Sequence, residues 1–525
     1  MLWTLIKDTW RYRGSLVILG TPIAASILPI ISPCQETKCA CVVIILAVYW
    51  MTEVIPMSMT ALLPMVLFPI AGVSTAKQIA SDYLQEPLFM LIGGLAVALA
   101  IEEARLHERV ALRVLLFVGP QTRWILLGIM LTSAFLSMWI SNTATTATMI
   151  PIVEALLVEM IKCSDVHVHR SERKISKALL ERELGQVEAQ HILDKDKLSG
   201  GHLSFCKMML LSICYSANIG GVATITGTGT NILAVGMLES AYGPDTGVTF
   251  ATWFCVGFPV AFLNVIVAWL WLQLHFCGWK TLLGRHRDNK GKEEMAASLR
   301  QKLVALGPFN WRDITTSGLF LLLVILWLFR APGSMPGWCH LFLPGYVTDS
   351  SAVILVMFLY FIIPAEKPDF LCVRGRDRKK SPKLRNSLLN WPLVENRLPW
   401  GIILLAGGSL AMAGAIERSG LSKALGFQLA KIGHIHPYLI CAIVLIMSAF
   451  TTEVSSNAAA VSILIPLMGS LAEKLHVNPL YFILPAVIGV MLQCTRSCSQ
   501  WPLHQMLWYS GEDCSKCLTW LSVVS

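Results

Sequence analysis

Apolar stretches long enough to cross a lipid bilayer recur along the whole chain. A transmembrane helix needs about twenty mostly apolar residues. Two stretches, 87–101 and 400–416, are shorter and contain glycine pairs, which favours re-entrant or broken helices there. The pattern predicts an all-α polytopic membrane protein. The full-length candidates lie near 15–32, 40–57, 59–75, 124–161, 207–240, 250–277, 314–331, 350–364, 437–470 and 478–494.

The composition excludes the soluble classes of protein. The chain has 525 residues, of which 55% are hydrophobic and 14% charged, and its mean hydropathy is +0.61. A soluble chain of this length would form roughly three or four domains, with about a quarter of its residues charged. The net charge of +9 comes from the connectors between apolar stretches rather than from a basic face with interleaved aromatic residues. We therefore expect membrane lipid as a partner and no nucleic acid.

Self-similarity divides the chain into two halves. Residues 141–151 read SNTATTATMIP and residues 456–466 read SNAAAVSILIP, at an offset of 315. A second pair of blocks, LIGGLAVALAIEEARL at 91–106 and LAGGSLAMAGAIERSGL at 405–421, keeps almost the same register. We predict two repeats with these bounds: 1–161, the first repeat with the first Ser-Asn motif; 162–206, a polar cytoplasmic loop; 207–279, the end of the first repeat; 280–313, a polar linker; 314–494, the second repeat; and 495–525, an aberrant tail.

Polar residues in the middle of apolar spans indicate binding sites. A hydroxyl or amide stranded in hydrocarbon costs several kcal/mol, unless the helix breaks there and lines a polar cavity. Freed carbonyls and hydroxyls can then bind sodium, and helix N-termini can hold an anion. The alternative is that Ser and Thr join neighbouring helices by hydrogen bonds. Two motifs in one register favour the binding site, at the interface between repeats.

A third polar segment, YSANIGGVATITGTGTN at 215–231, carries four glycines beside many hydroxyl residues. Glycine permits unusual backbone angles and close approach to a ligand. The segment is therefore predicted to form an irregular ligand-binding turn. It is not a phosphate loop, because no G-K-[ST] follows.

Several motifs carry a resemblance to a known family. They are YWMTEVIP at 49–56, LHERVAL at 106–112, WISNTAT at 139–145, IGGVATITGT at 219–228 and TEVSSN at 452–457. Over about residues 5–492, the chain resembles solute carrier family 13, the sodium-coupled di- and tricarboxylate and sulfate symporters of the divalent anion:sodium symporter family. The SNTAT form resembles the carboxylate branch, since sulfate carriers tend to read SNTST.

The resemblance implies a fold and a set of site residues. The family fold is a homodimer with two inverted-topology repeats, in which re-entrant hairpins and broken helices form a scaffold and an elevator-type transport part. By the same resemblance, the substrate carboxylates would contact Ser141, Asn142, Thr143, Ser456, Asn457 and Ala458. Sodium would bind at Ser137, Asn142 and the backbone near Gly227 in one site, and at Thr452, the Ser455 carbonyl and Asn457 in the other.

This chain departs from the family pattern at two of these places. Thr230 stands where the family usually has proline, which predicts a less rigid first turn. Ala458 stands where the family has threonine or valine, so it offers no hydroxyl to a substrate.

The last residues do not follow the family pattern. After the span at 478–494 the family continues with LPVATPPNA, whereas this chain reads CTRSCSQWPLHQML at 494–507. Codons for VATPPNA, read one base later, give the WPLHQM found at 501–506. We hypothesise that residues 495–525 are a frame-shifted form of the family's C-terminus. Such a chain would lack part of the second sodium site and the final span, and its transport activity would be in doubt.

The predicted function is sodium-coupled symport of succinate- or citrate-like anions across the plasma membrane by alternating access. Two alternatives stay open: sulfate symport, and a truncated form that does not transport but dimerises with and inhibits a full-length partner. An enzyme is not expected, because no nucleophile, base and orienting group recur at useful spacing near His107 and Glu108. No cofactor is expected beyond sodium as coupling ion.

Overall fold

The regular structure of the protein is helical. The computed structural model describes residues 13–118, 122–165, 200–243, 246–283, 292–332, 336–343, 345–367, 386–424, 436–454 and 456–492. Within these ranges there is no β-strand, and Pro364 and Ser387 form an isolated β-bridge. The predicted tail at 495–525 and Ser455 lie outside the described residues.

The helices are numbered in chain order. The first half contains α1 (Arg13–Ile31), α2 (Gln35–Thr52), α3 (Met57–Thr60), α4 (Pro64–Ile70), α5 (Ala76–Tyr83), α6 (Glu86–Glu103), α7 (Leu106–Val118), α8 (Thr122–Ser137), α9 (Asn142–Asp165), α10 (Gly200–Gly221), α11 (Gly229–Tyr242) and α12 (Phe250–Leu283). The second half contains α13 (Lys292–Ala305), α14 (Trp311–Leu328), α15 (Asp349–Ile362), α16 (Trp391–Arg397), α17 (Trp400–Arg418), α18 (Pro437–Val454), α19 (Asn457–Lys474) and α20 (Leu480–Leu492). Short 3₁₀ turns occupy Ile225–Gly227 and Trp338–Leu341.

Many of these helices are long and apolar enough to cross a membrane. Five meet the length and composition of a span within the described residues: Gly14–Ile31, Ala76–Glu103, Phe250–Phe276, Trp311–Leu328 and Trp400–Arg418. The span at Gly14–Ile31 buries only 6% of its residues inside the protein, as expected for a helix whose sides face lipid. The all-α polytopic membrane architecture predicted from the sequence is confirmed.

The two glycine-bearing stretches, predicted to be re-entrant or broken, are unbroken helices, and their re-entrant form stays a prediction. They form α6 and α17. A glycine inside a helix costs about 1 kcal/mol relative to alanine, which close packing can offset. A Cβ on Gly93 would lie 2.8 Å from the Val353 side chain, and one on Gly408 would overlap the carbonyl of Ala61. These glycines therefore allow close approach of neighbouring elements.

The structure also changes the bounds of three predicted segments. The apolar stretch 59–75 is divided into α3 and α4, with Pro64 at the start of the second helix. The polar linker at 280–313 is partly helical, because α12 continues to Leu283 and α13 lies within it. The predicted loop at 162–206 is helical at both described ends, since α9 continues to Asp165 and α10 begins at Gly200.

The order of elements recurs in the two halves. Helices α5, α6, α8 and α9 begin 314 or 315 residues before α16, α17, α18 and α19 respectively. Packing recurs as well, since α10 contacts both α8 and α9, while α20 contacts both α18 and α19. The inverted orientation of the repeats stays a prediction.

The buried apolar residues form two large clusters that meet near the first Ser-Asn motif. One cluster joins α6, α11, α15, α19 and α20, and the other joins α7, α8, α9, α10 and α12. Trp139 packs against both. The polar residues of the motif therefore sit between two apolar bodies.

Candidate functional site

Both Ser-Asn motifs lie where one helix ends and the next begins. Helix α8 ends at Ser137 and α9 begins at Asn142, while α18 ends at Val454 and α19 begins at Asn457. The first N–H groups of a helix have no partner within it, and an N-cap serine satisfies one of them. Ser141 Oγ accepts a hydrogen bond from the Ala144 N–H at 3.3 Å, and Ser456 Oγ accepts one from the Ala459 N–H at 3.3 Å. The two serines therefore cap their helices in the same way.

A third helix break separates α10 from α11. Asn231 stabilises the backbone of this break, because its Nδ2 donates to the carbonyls of Gly221 and Thr224, both at 2.9 Å. Thr224 Oγ1 in turn donates to the Met138 carbonyl at 2.5 Å, which joins this break to the first Ser-Asn motif. A Cβ on Gly227 would lie 2.5 Å from the Gly221 carbonyl oxygen, so the two backbone segments touch.

The prediction of an irregular turn at 215–231 was correct only for the middle of the segment, because residues 229–231 already belong to α11. Residues 215–221 continue α10, and the irregular part runs from 222 to 228. Gly220 stays helical because it packs directly on Ala134, where an added Cβ would overlap the backbone. Here glycine allows contact between helices instead of breaking one.

Asn142 lies at the centre of a polar network. Ser137 Oγ donates to Asn142 Oδ1 at 2.6 Å, and Asn142 Nδ2 donates to Asn218 Oδ1 at 2.9 Å. A Cβ on Gly221 would lie 2.8 Å from Asn142 Oδ1. The structure therefore brings Ser137, Asn142 and the Gly221–Gly227 contact together, as the first predicted sodium site requires.

Further neutral oxygen atoms lie near this network. Among the described residues, Thr226 Oγ1 and Asn231 Oδ1 are buried without a hydrogen-bond partner. A buried acceptor without a partner costs about 1–3 kcal/mol, which a bound cation can recover. Within the described part of the chain, no group of three or more His, Cys, Asp or Glu is placed to hold a metal ion. Neutral hydroxyl, amide and carbonyl oxygens suit a monovalent hard cation.

The second motif has fewer partners. Thr452 is buried, and its hydroxyl donates to the Ala449 carbonyl at 2.7 Å. No side-chain hydrogen bond joins Asn457 to any other residue that the structure describes. The Ser455 carbonyl, predicted to bind the second sodium, lies outside the described residues.

Both motifs line one cavity of about 1020 Å³. The six residues predicted to contact substrate all line it: Ser141, Asn142, Thr143, Ser456, Asn457 and Ala458. Gly227 and Thr452 line it too, whereas Ser137 lies fully buried behind Asn142. The two Ser-Asn motifs, 315 residues apart in the chain, therefore face a common space.

Charged side chains in the cavity wall were missed by the sequence reasoning. Glu53, Glu102 and Arg397 line the cavity. Glu53 lies in the YWMTEVIP motif and has a left-handed backbone, with φ of 49°. That motif and the EE pair at 102–103 were signals for the two carboxylates, whereas nothing in the connector around Arg397 marked it.

Comparison with known proteins gives the class and then the family. A family profile described as "Sodium:sulfate symporter transmembrane region" matches residues 7–499. The Na(+)/citrate cotransporter of Rattus norvegicus is 37% identical over 498 residues, covering 92% of this chain and 86% of the relative. The Na(+)/dicarboxylate cotransporter 3 of Homo sapiens is 35% identical, covering 92% and 84%. Solute carrier family 13 member 1 of Rattus norvegicus is 33% identical, covering 92% and 87%.

These matches and the helical architecture define a multi-pass membrane transporter and not an enzyme. The chain belongs to the sodium:sulfate symporter family, which includes solute carrier family 13. Members of this family are plasma-membrane proteins that couple anion symport to sodium and use no enzymatic cofactor.

Proposed function

We propose that this protein carries out sodium-coupled symport of di- or tricarboxylate anions by alternating access. The observation that carries the proposal is the convergence of two serine-capped helix starts on one cavity. The N-terminus of a helix carries about half a positive elementary charge, and its free N–H groups point toward a ligand. Two such ends suit an anion with separated carboxylates.

Sodium binds beside each motif in this proposal. The first ion takes oxygen from Ser137, Asn142 and the backbone near Gly227. The second takes oxygen from Thr452, Ser455 and Asn457. The Ser137–Asn142 contact and the touching backbones of Gly221 and Gly227 support the first assignment.

The charges of the cavity wall favour sodium binding before the anion. Among its described residues the wall carries the carboxylates Glu53 and Glu102 against the single guanidinium Arg397. An anion arriving alone meets an excess of negative charge, whereas each bound sodium adds one positive charge. Transport is electrogenic when the sodium ions carry more charge than the anion.

Carboxylates are favoured over sulfate as cargo. The first motif reads SNTAT, the form of the carboxylate branch, and relatives named for citrate and dicarboxylate transport match most of the chain. A cavity of about 1020 Å³ has ample volume for citrate. Because Ala458 offers no hydroxyl, the second motif holds the anion through its serine, its asparagine and the start of α19.

Uptake measurements test this proposal. Cells expressing the chain are given radiolabelled succinate, citrate or sulfate, with sodium or with choline in its place. We expect sodium-dependent uptake of a carboxylate, abolished by Asn142→Ala and by Asn457→Ala while surface expression persists. Asn264→Ala is the matched control, because Asn264 bonds within α12 and does not line the cavity. Sodium-dependent uptake of sulfate alone would contradict the carboxylate assignment, and unchanged uptake in both site variants would contradict the site.

A non-transporting form that inhibits a full-length partner is a second candidate, favoured by one observation. Helix α8 packs against α7, α10 and α12, whereas the main described contacts of α18 are with α20 and α19. Tyr438 and Phe450 on α18 are 72% and 70% exposed. An exposed apolar face of this kind can pack against a second protein chain, as dimerisation with a partner requires.

Two experiments separate the candidates. Co-expression with a full-length carboxylate cotransporter should lower the partner's uptake if the chain dimerises with it and inhibits it. Sequencing the transcript across the codons for residues 485–500 tests the proposed frame shift. An exon junction or an insertion or deletion there supports it, and continuous unrelated codons refute it.

A further inference from the structure

Arg397 is the one cation in the cavity wall among the residues that the structure describes. It is the last residue of α16 and precedes the turn into α17. Its side chain is 56% exposed, so water reaches it. Arg397 therefore lines the space that both Ser-Asn motifs share.

The charge of Arg397 is compensated only at long range, by Glu103 and by the Glu102 carboxylate in the same cavity wall. Its Nη1 lies 3.8 Å from Glu103 Oε2, and the same carboxylate lies 3.5 Å from Nη2 of Arg312. Two guanidinium groups thus share one carboxylate at long range, and an exposed pair of this kind contributes little stability. By contrast, Arg418 reaches Asp82 at 2.5 Å.

We infer that Arg397 binds a carboxylate of the entering anion and makes the cavity prefer a tricarboxylate over a dicarboxylate. This inference rests on the proposed function. The guanidinium exchanges Glu103 for the cargo, and Glu103 keeps Arg312 as its partner. Arginine binds carboxylates through two parallel N–H donors, which gives the contact geometric specificity. The two Ser-Asn motifs hold two carboxylates, and Arg397 receives the third.

A purely structural role makes a different prediction. If the Arg397–Glu103 pair only tethers α16 to α6, then removing either member should have the same effect. If Glu103 instead competes with the cargo for Arg397, then removing the two members should have opposite effects. The sign of the change in affinity therefore distinguishes the two roles.

Equilibrium binding to the purified full chain tests the inference, since binding needs no completed transport cycle. Radiolabelled citrate and succinate are titrated in saturating sodium. Arg397→Gln should weaken citrate binding about three- to tenfold and succinate binding less than about twofold, because the loss of one charge acts most on the trianion. Arg397→Lys should restore most of the citrate affinity, and Glu103→Gln should strengthen it.

The matched control is Arg105→Gln, which removes a cation paired with Glu108 outside the cavity and should leave both affinities unchanged. Equal weakening of citrate and succinate by Arg397→Gln, or weakening by Glu103→Gln as well, would overturn the inference. If the unaltered chain binds neither anion in sodium, the proposed function itself fails.

Discussion

The two Ser-Asn motifs begin their helices alike but differ in what surrounds the asparagine. Asn142 is held by Ser137 and Asn218 and lies against Gly221, whereas Asn457 has no described side-chain partner. The difference comes from the end of α8, which supplies Ser137, and from the end of α10, which supplies Asn218 and Gly221. A Ser-Asn motif therefore specifies a helix start, while neighbouring helices determine which partners its asparagine has.

The largest effect is expected from blocking the contact that distinguishes the first site. Gly227→Val would place a Cβ 2.5 Å from the Gly221 carbonyl oxygen and force the two backbones apart. We expect sodium-dependent binding of citrate to be lost. Gly318→Ala is the control, because an added Cβ there meets nothing within 4 Å. Retention of sodium-dependent binding by Gly227→Val would show that the first site does not need this contact.

A smaller effect, on the stability of the ligand-free protein, should differ between the alanine variants of the two asparagines. Asn142→Ala removes its hydrogen bonds with Ser137 and Asn218, and the fully buried Ser137 hydroxyl loses its acceptor, which should cost about 1–3 kcal/mol of stability. Asn457→Ala breaks no described side-chain hydrogen bond and should change stability by less than about 0.5 kcal/mol. Thermal unfolding of the detergent-purified protein measures both. Equal losses of stability would contradict the contrast between the sites.

The smallest effect on stability is expected from the feature that the two sites share, the serine that caps each helix. Ser141→Ala and Ser456→Ala each remove an N-cap bond of the same length, so each should cost about 1 kcal/mol. Unfolding measured as for the asparagine variants checks this equality. Replacing each serine with threonine should recover most of the loss. A much larger loss of stability at one serine would mean that its hydroxyl does more than cap a helix.

The sequence predicted the helical architecture and both Ser-Asn helix breaks, since Ser and Asn in an apolar run have a strong preference for helix starts. It did not show that α6 and α17 are unbroken, because glycine can serve close packing as well as chain breaks. Gly93 and Gly408 contact elements far away in the chain, which periodicity cannot reveal. Arg397 was missed for a similar reason: its nearest acidic partner, Glu103, lies almost three hundred residues earlier. The predicted roles of the site residues stay predictions.

The hydrogen bond from Ser137 to Asn142 has a consequence for how a cation would enter. At 2.6 Å, the hydroxyl hydrogen occupies a lone pair of the amide oxygen that a metal ion would use. The hydroxyl can rotate, turn its hydrogen away and present its own oxygen to the same ion. In the proposed first sodium site, an arriving ion would displace this hydrogen bond and gain two oxygen ligands, and until then the hydroxyl keeps the amide oxygen hydrogen-bonded.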